Sequence, residues 1–344
     1  MMKKSRAGFL AVLLATSLPT AAFASEMTVQ ELYEKAQAAQ SGINAFCMDM
    51  TGEADVLLHM GAGEGASSME ATGTVDIAMQ LSKEPFAMSM KGTMAGDAMG
   101  QAGVLDLEMY FVSNEDGTGS EYIHVNGMGE DSGWIVETVS EDLMQQMADS
   151  IQQSTTGDYT AFTELYGVDI EAFQEKLMEK SELKEGTVDV NGKTCLELNQ
   201  QIPGEMFAEL ITAVMSSEAF QSQLSDAGET EALDSSTLDM TSMIVSTIFG
   251  CLNMDMTSDY DAETFLPVHA QLDLTESDFS SLMDMFGSMF MTGTETEGES
   301  APELSLELPV LNLAYDYDFE TPVEITVPAE ALQAGEEQTE SAAL

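Results

Sequence analysis

Few residues in this chain have the chemistry to break or make bonds, and their spacing organises no familiar reaction. The histidines are His59, His124 and His269. Each falls in a strand-like stretch, and none has neighbours at metal-ligand spacing. His59 and His269 fall on the polar side of their stretches and read as solvated strand residues. No His-Glu-x-x-His, Gly-x-Ser-x-Gly, P-loop or Gly-x-Gly-x-x-Gly pattern is present. Ser181-Glu-Leu-Lys184 has the Ser-x-x-Lys spacing of penicillin-recognising enzymes, but the Ser-Asp-Asn element that completes such a site is missing. Asp255, Asp259 and Asp261, or Asp316 and Asp318, lack the spacing of an EF-hand calcium loop and read as a solvated acidic face. With no nucleophile–base pair the chain is not expected to be an enzyme, and no metal or cofactor is expected. Cys47, Cys195 and Cys251 cannot all pair within one chain; they read as small buried hydrophobes, with a Cys195–Cys251 bridge left open.

Charge narrows the partners. The 344 residues hold 10 Lys and Arg against 61 Asp and Glu, a net charge of −51. Phosphate binding needs clustered Lys and Arg, so nucleic acid is excluded as a partner. Electrostatic docking on an anionic membrane is excluded on the same ground. Lys3, Lys4 and Arg6 precede a short apolar run, Ala7 to Leu18, and the small-x-small triplet Ala22-Phe23-Ala24. That is the pattern of a signal peptide over 1–24. The run falls short of the roughly 20 apolar residues of a membrane span, so no transmembrane segment is expected in the mature chain. The Met-Lys-Lys start fits a bacterial origin. Cleavage leaves seven Lys, no Arg and a net charge of −54. Without Arg there is no bidentate fork for a carboxylate or phosphate.

Periodicity supplies the scaffold. Thr28-Val-Gln-Glu31 is a capping box that opens a helix over about 28–41. Met48 to Met60 then alternates apolar and polar residues, as do three runs between Ala71 and Phe111, Tyr122 to Val125, and Trp134 to Val139. Six strands with short connections make an antiparallel meander with one apolar face. The period changes at about 142–250, where helical runs and an Asn191-Gly192 hairpin intervene. Strands resume at about 252–274 and 304–319, the last broken by Pro309, with a short strand at 323–327. The chain is thus expected to be α+β: one large curled antiparallel sheet, a half-open barrel, with helices packed on its concave apolar face. The domain spans 25–331, with the helical insertion at about 142–250. Residues 332–344 read as an acidic disordered tail.

Methionine is over-used: there are 27. Met48, Met50, Met79, Met88, Met90, Met109, Met254 and Met256 fall on the apolar side of strands and are the candidate lining of a ligand cavity. Their flexible, polarizable side chains suit a surface that accepts varied apolar partners.

The order of elements resembles the Lol-type lipoprotein carriers and the mycobacterial triacylglyceride-carrier lipoproteins of bacterial envelopes. That order is export signal, N-terminal helix, meander of long strands, helical insertion and closing hairpins. Two short stretches fit as well, Asp261-Ala-Glu-Thr-Phe-Leu-Pro-Val268 and Val323-Glu-Ile-Thr-Val-Pro-Ala-Glu-Ala331. The resemblance implies a half-open barrel plugged by helices and non-covalent carriage of acyl chains or lipidated proteins. The chain departs from those lipoproteins in lacking a lipidation cysteine, in its acidity and in having no Arg after cleavage.

The reading is an exported bacterial protein, soluble in the envelope or outside the cell. It binds a lipid or other hydrophobic molecule non-covalently in a Met-rich cavity, with an acyl chain or hydrophobic small molecule as partner. The alternative is a secreted or cell-surface interaction module with a filled core and no small ligand. Mass analysis of the mature protein from its host is expected to find Ser25 at the N-terminus; a mature, membrane-bound form that keeps residues 1–24 would overturn the export signal.

Overall fold

A computed structural model describes residues 27–60, 67–127, 130–145, 147–148, 163, 166–217, 235–283, 285 and 304–342. The expected signal peptide at 1–24 lies outside the described residues. Helix α1 (Val29–Ser41) opens on the expected capping box: the Thr28 side chain accepts from the Glu31 amide, and the Glu31 carboxylate accepts from the Thr28 amide at 2.8 Å. The six meander strands are β1 (Ala45–Met60), β2 (Ser67–Lys83), β3 (Phe86–Ala98), β4 (Gln101–Ser113), β5 (Gly119–Gly127) and β6 (Glu130–Val139). A helical stretch follows at 141–145. Then come α2 (Ile170–Glu179), β7 (Ser181–Leu183), β8 (Val188–Val190), β9 (Lys193–Pro203), α3 (Gly204–Ser216) and α4 (Ser235–Gly250). The chain closes with β10 (Asn253–Asp261), β11 (Pro267–Asp273), β12 (Leu304–Asp318) and α5 (Ala329–Ala342).

All twelve strands form one antiparallel sheet in the order β6-β5-β4-β3-β2-β1-β12-β11-β10-β9-β7, with β8 on β9. The sheet is open and curled, and its two halves meet where β1 pairs with β12. That pairing holds a bulge between Asp55 and Leu57 of β1, opposite Leu308 and Pro309. Proline cannot donate to a ladder, so a bulge is where an interior strand tolerates it. The extra residue also reverses the side-chain alternation. Leu311, Leu313 and Tyr315 therefore share a face with Leu304 and Leu306, although their numbers differ in parity.

Register assigns the two faces. Met50 pairs with Ile77, Val75 with Met94, and Met90 with Met109, all on the inner face. Asp49, Asp76, Lys91 and Asp106 point the other way and are exposed. A slip of one residue would exchange these sets and bury four charges, so the register is strongly specified. The helices cover the inner face. Leu32 and Ala36 of α1 are fully buried against Leu196, Leu198 and Ala262. Met144 packs with Val139, Met88 and Phe111. Leu177 of α2 and Met206 of α3 pack with Ile202, Met254 and Leu274.

The structure departs from the sequence reading at the C-terminus. Residues 323–327 run outside the sheet rather than forming a strand. Beyond them the expected disordered tail is helical through Ala342. The fully buried Ala331, in the first turn of α5, packs with Tyr110 and Tyr122 on the outer face of β4 and β5, beside Trp134, Val136, Ile325 and Val327. The reason is the aromatic residues on the nominally polar side of these strands, which need cover of their own. Strand β7 was also absent from the sequence reading; three residues carry no usable period.

Glycine fixes the junction of α3 and α4. A Cβ on Gly204 would lie 1.7 Å from the Phe249 carbonyl oxygen and 2.6 Å from that of Leu252, both backbone atoms that cannot swing away. At Gly103 a Cβ meets nothing within 4 Å. Gly204→Ala is expected to cost about 3 kcal/mol or more in urea unfolding, and Gly103→Ala less than about 0.5 kcal/mol. Equal effects would contradict this packing.

Candidate functional site

The eight candidate methionines all point to the inner face, seven of them in two zones. Met48, Met79, Met88 and Met109 are buried in one cluster with Leu81, Phe86 and Phe111, and Met90 packs against it. The pairing explains the cluster: Met48 faces Met79, Met79 faces Met90, and Met90 faces Met109 across four adjacent strands. Met144 and Met147, which follow β6, close over it. Met254 and Met256 belong to the second zone, on β10, with Ile202, Met206 and Leu274. Met50 lies between the zones on β1, flanked by Ile77 and Tyr315.

Side chains in the middle of the inner face are less covered. Met50, Ile77, Met90, Leu107, Leu313 and Tyr315 are half-buried. Two glycines shape this floor. A Cβ on Gly52 would stand 2.5 Å from Leu313 Cδ2 and 2.7 Å from Val75 Cγ1, and one on Gly92 would stand 2.6 Å from Ile77 Cγ1. Neighbouring side chains thus lie flat across the glycines. Toward the β3–β4 turn the apolar face runs out into solvent, with Met94 40% exposed.

Polar groups enter the second zone from strand positions that the alternation turns inward. Gln200 of β9 is 4% exposed and Ser258 of β10 is fully buried. Gln200 Nε2 donates to Ser181 Oγ at 2.9 Å, and Ser181 Oγ donates to the Leu177 carbonyl at 2.8 Å. Gln200 Oε1 and Ser258 Oγ are buried without a hydrogen-bond partner. Neither residue stands out in the sequence. The available signal was a polar residue at an inward step of an otherwise apolar alternation.

The outer face carries most of the titratable groups. Register lines up Glu197, Asp259, His269, Asp316 and Asp49 across five strands. Lys184 pairs with Glu197, and His269 Nδ1 meets Asp316 Oδ1 at 3.0 Å. Asn191, at the tip of the β8–β9 turn, donates to the same Asp316 oxygen at 2.9 Å. Asp259 is 6% exposed, and its Oδ1 has no hydrogen-bond partner. Burial, followed by the nearby Glu197 carboxylate, pushes its carboxyl up to about 6, while His269 and Lys184 oppose the shift. Among the described residues, no three His, Cys, Asp or Glu side chains are grouped to hold a metal ion.

All three cysteines are free thiols, so Cys195 and Cys251 are not bridged. Burial, then the carboxylates of Asp259 and Asp261, pushes the Cys195 thiol up to about 11. Burial likewise raises Cys47 and Cys251. A thiol held protonated is a poor nucleophile, which fits packing rather than reaction.

The Asp259 arrangement carries a stability consequence. Its folded value lies above the ordinary 3.8, so the folded protein holds this proton more tightly than the unfolded chain. The stabilisation is complete below about pH 4 and is lost as pH rises to about 6. Asp259→Asn is therefore expected to stabilise the protein by about 1–3 kcal/mol at pH 7.5, and the gain should fade toward pH 4. Thermal melts across this range check it; a gain independent of pH would contradict an ionised, unsupported Asp259.

Residues 28–276 match a family described as a family of unknown function, DUF6612. No curated protein matches the chain. Among solved structures, the chain is similar to a beta-barrel-like protein of a domain of unknown function, DUF1849, from Brucella abortus. That match has 7% identity and a TM-score of 0.21, covering 83% of this chain and 100% of the other. It is also similar to a DUF1329 family protein from Desulfovibrio piger, with 6% identity and a TM-score of 0.16, covering 85% of this chain and 95% of the other. Both likenesses are slight, and the fold rests on the chain's own strand pairing.

Proposed function

We propose a carrier function for this chain, which belongs to the DUF6612 family of unknown function. It is exported from a bacterial cell and binds a lipid or other hydrophobic molecule non-covalently against the inner face of its sheet. The observation that carries this reading is the half-buried middle of that face. Met50, Ile77, Met90, Leu107, Leu313 and Tyr315 present a contiguous apolar floor between zones that the helices close. Large apolar patches on soluble proteins mark binding sites, and methionine suits a site that must repack around chains of differing shape. The order of elements shared with Lol-type and triacylglyceride carriers supports the same reading. No described helix is long and apolar enough to cross a membrane.

Binding would draw on apolar burial, at about 0.8 kcal/mol per methylene. The outer face contributes acidity and no chemistry. Export rests on the sequence of residues 1–24. The alternative, an interaction module with a filled core, is favoured by the tight burial of Met48, Met79, Met88 and Met109.

Fatty acids of increasing chain length, titrated against the purified protein, test the proposal. Affinity should rise about fourfold per methylene and change little with salt. The variant Met50→Gln/Met90→Gln alters half-buried positions and should fold, yet bind at least about tenfold more weakly, which is about 1.4 kcal/mol. Affinity that ignores chain length would leave the interaction module as the better reading.

A further inference from the structure

We propose that Gln200 and Ser258 form the polar end of the concave site, and that its ligand is a neutral amphiphile with a hydroxyl head. A long-chain alcohol or a monoacylglycerol has this chemistry. The inference rests on the carrier reading above and specifies its ligand.

The two residues sit on neighbouring strands and the same face. Gln200 pairs with Met256, and Ser258 pairs with Leu198 one inward step along. Such diagonal neighbours lie roughly 7–8 Å apart at the backbone, within reach of a single small group between their side chains. Their surroundings are apolar: Met256 opposes Leu272, and Ser258 opposes Ala270, whose other neighbour is Tyr315. The candidate lining residues Met254 and Met256 lie in this zone, so the polar pair stands at the end of the apolar floor rather than apart from it.

The hydrogen bonds define what the pair lacks. Ser181 Oγ donates its one proton to the Leu177 carbonyl. It can therefore only accept from Gln200, which turns the amide nitrogen toward Ser181. Gln200 Oε1 is left as a buried acceptor without a donor, and Ser258 Oγ is buried without any partner. Each such atom has given up its hydrogen bonds to water without a replacement. One hydroxyl answers both, donating to Gln200 Oε1 and accepting from Ser258 Oγ.

Other heads fit less well. A carboxylate or phosphate would set negative charge against an acceptor that has no proton to give. Lys91, Lys176, Lys184 and Lys193 are each paired with a glutamate and do not offer it a free cation. An ester or a triacylglycerol has no donor for Gln200 Oε1. Water is the remaining occupant, since buried polar pairs often hold one.

The full chain without its signal peptide, titrated with dodecanol, dodecyl methyl ether and dodecanoate, tests the inference. The three share a chain and differ in the head. Dodecanol should bind about tenfold more tightly than the ether, which is about 1.4 kcal/mol, and more tightly than dodecanoate. Gln200→Met and Ser258→Ala each remove an orphaned atom with little change of shape, so both variants should melt at or above the parent's temperature. Gln200→Met should erase the preference for alcohol over ether and leave ether affinity unchanged, whereas Ser258→Ala, which removes a donor that both heads can accept from, should weaken both and keep the preference. Equal binding of alcohol and ether by the parent means the pair holds only water, and overturns this inference while the carrier reading stands. Preference for dodecanoate overturns it as well. If none of the three binds, the carrier reading falls and takes this inference with it.

Discussion

The pairing of β1 with β12 holds the molecule together. It joins strands some 250 residues apart in the chain, and without it the structure would be two separate sheets. On one side lie β2 to β6, a meander built from consecutive hairpins. On the other lie β11, β10, β9 and β7, interrupted in sequence by helices. Closing such a long loop has an entropic cost that local contacts cannot offset, so the pairing must be long and register-specific. It is: from Cys47 with Asp318 to Met60 with Leu304, the ladder runs nearly the whole length of both strands.

The bulge at Pro309 is a condition of that pairing. The apolar residues of β12 change parity across it, from Leu311 and Leu313 on one side to Leu304 and Leu306 on the other. A regular strand would have sent one of these sets to solvent. The extra residue brings both onto the inner face and places the proline where no ladder donor is required. Gly52 on the partner strand has a related role, since its missing Cβ lets Leu313 and Val75 lie across the centre of the joint. Inner-face continuity between the two halves thus depends on residues with no reactive group at all.

This joint separates two environments. The outer face collects acids together with Lys91, Lys184 and Lys193, and there a buried carboxylate such as Asp259 is tolerated at a cost in stability. The inner face is built mainly from methionine, leucine and aromatic residues, and its charged positions, Lys83, Glu121 and Glu137, lie near strand ends. Gln200 and Ser258, polar residues buried within it, are therefore conspicuous. A buried amide oxygen without a donor is uncommon in a folded protein, because the loss is comparable to that of a whole hydrogen bond. The C-terminal helix complicates the division, since it makes an apolar layer on the outer face over β4 to β6.

The sequence by itself determined the type, order and facing of most strands. Alternation has a period of two, so Met50 and Val75 had to lie opposite Asp49 and Asp76 once one face was buried. It likewise placed α1, because a capping box is local chemistry between Thr28 and Glu31. The tertiary structure alone decided which strands are neighbours across the joint and that seven of the eight candidate methionines fall into two zones, with Met254 and Met256 apart from Met48, Met79, Met88, Met90 and Met109, and Met50 between them. It also decided what covers Ala331 at the domain's C-terminal end, since that depends on aromatic residues some 200 positions earlier. Gln200 and Ser258 were hidden for the same reason. A polar residue on an inward step looks like an ordinary interruption until its partners, or their absence, can be seen. Periodicity is a property of neighbours in the chain, whereas a hydrogen-bond deficit is a property of neighbours in space.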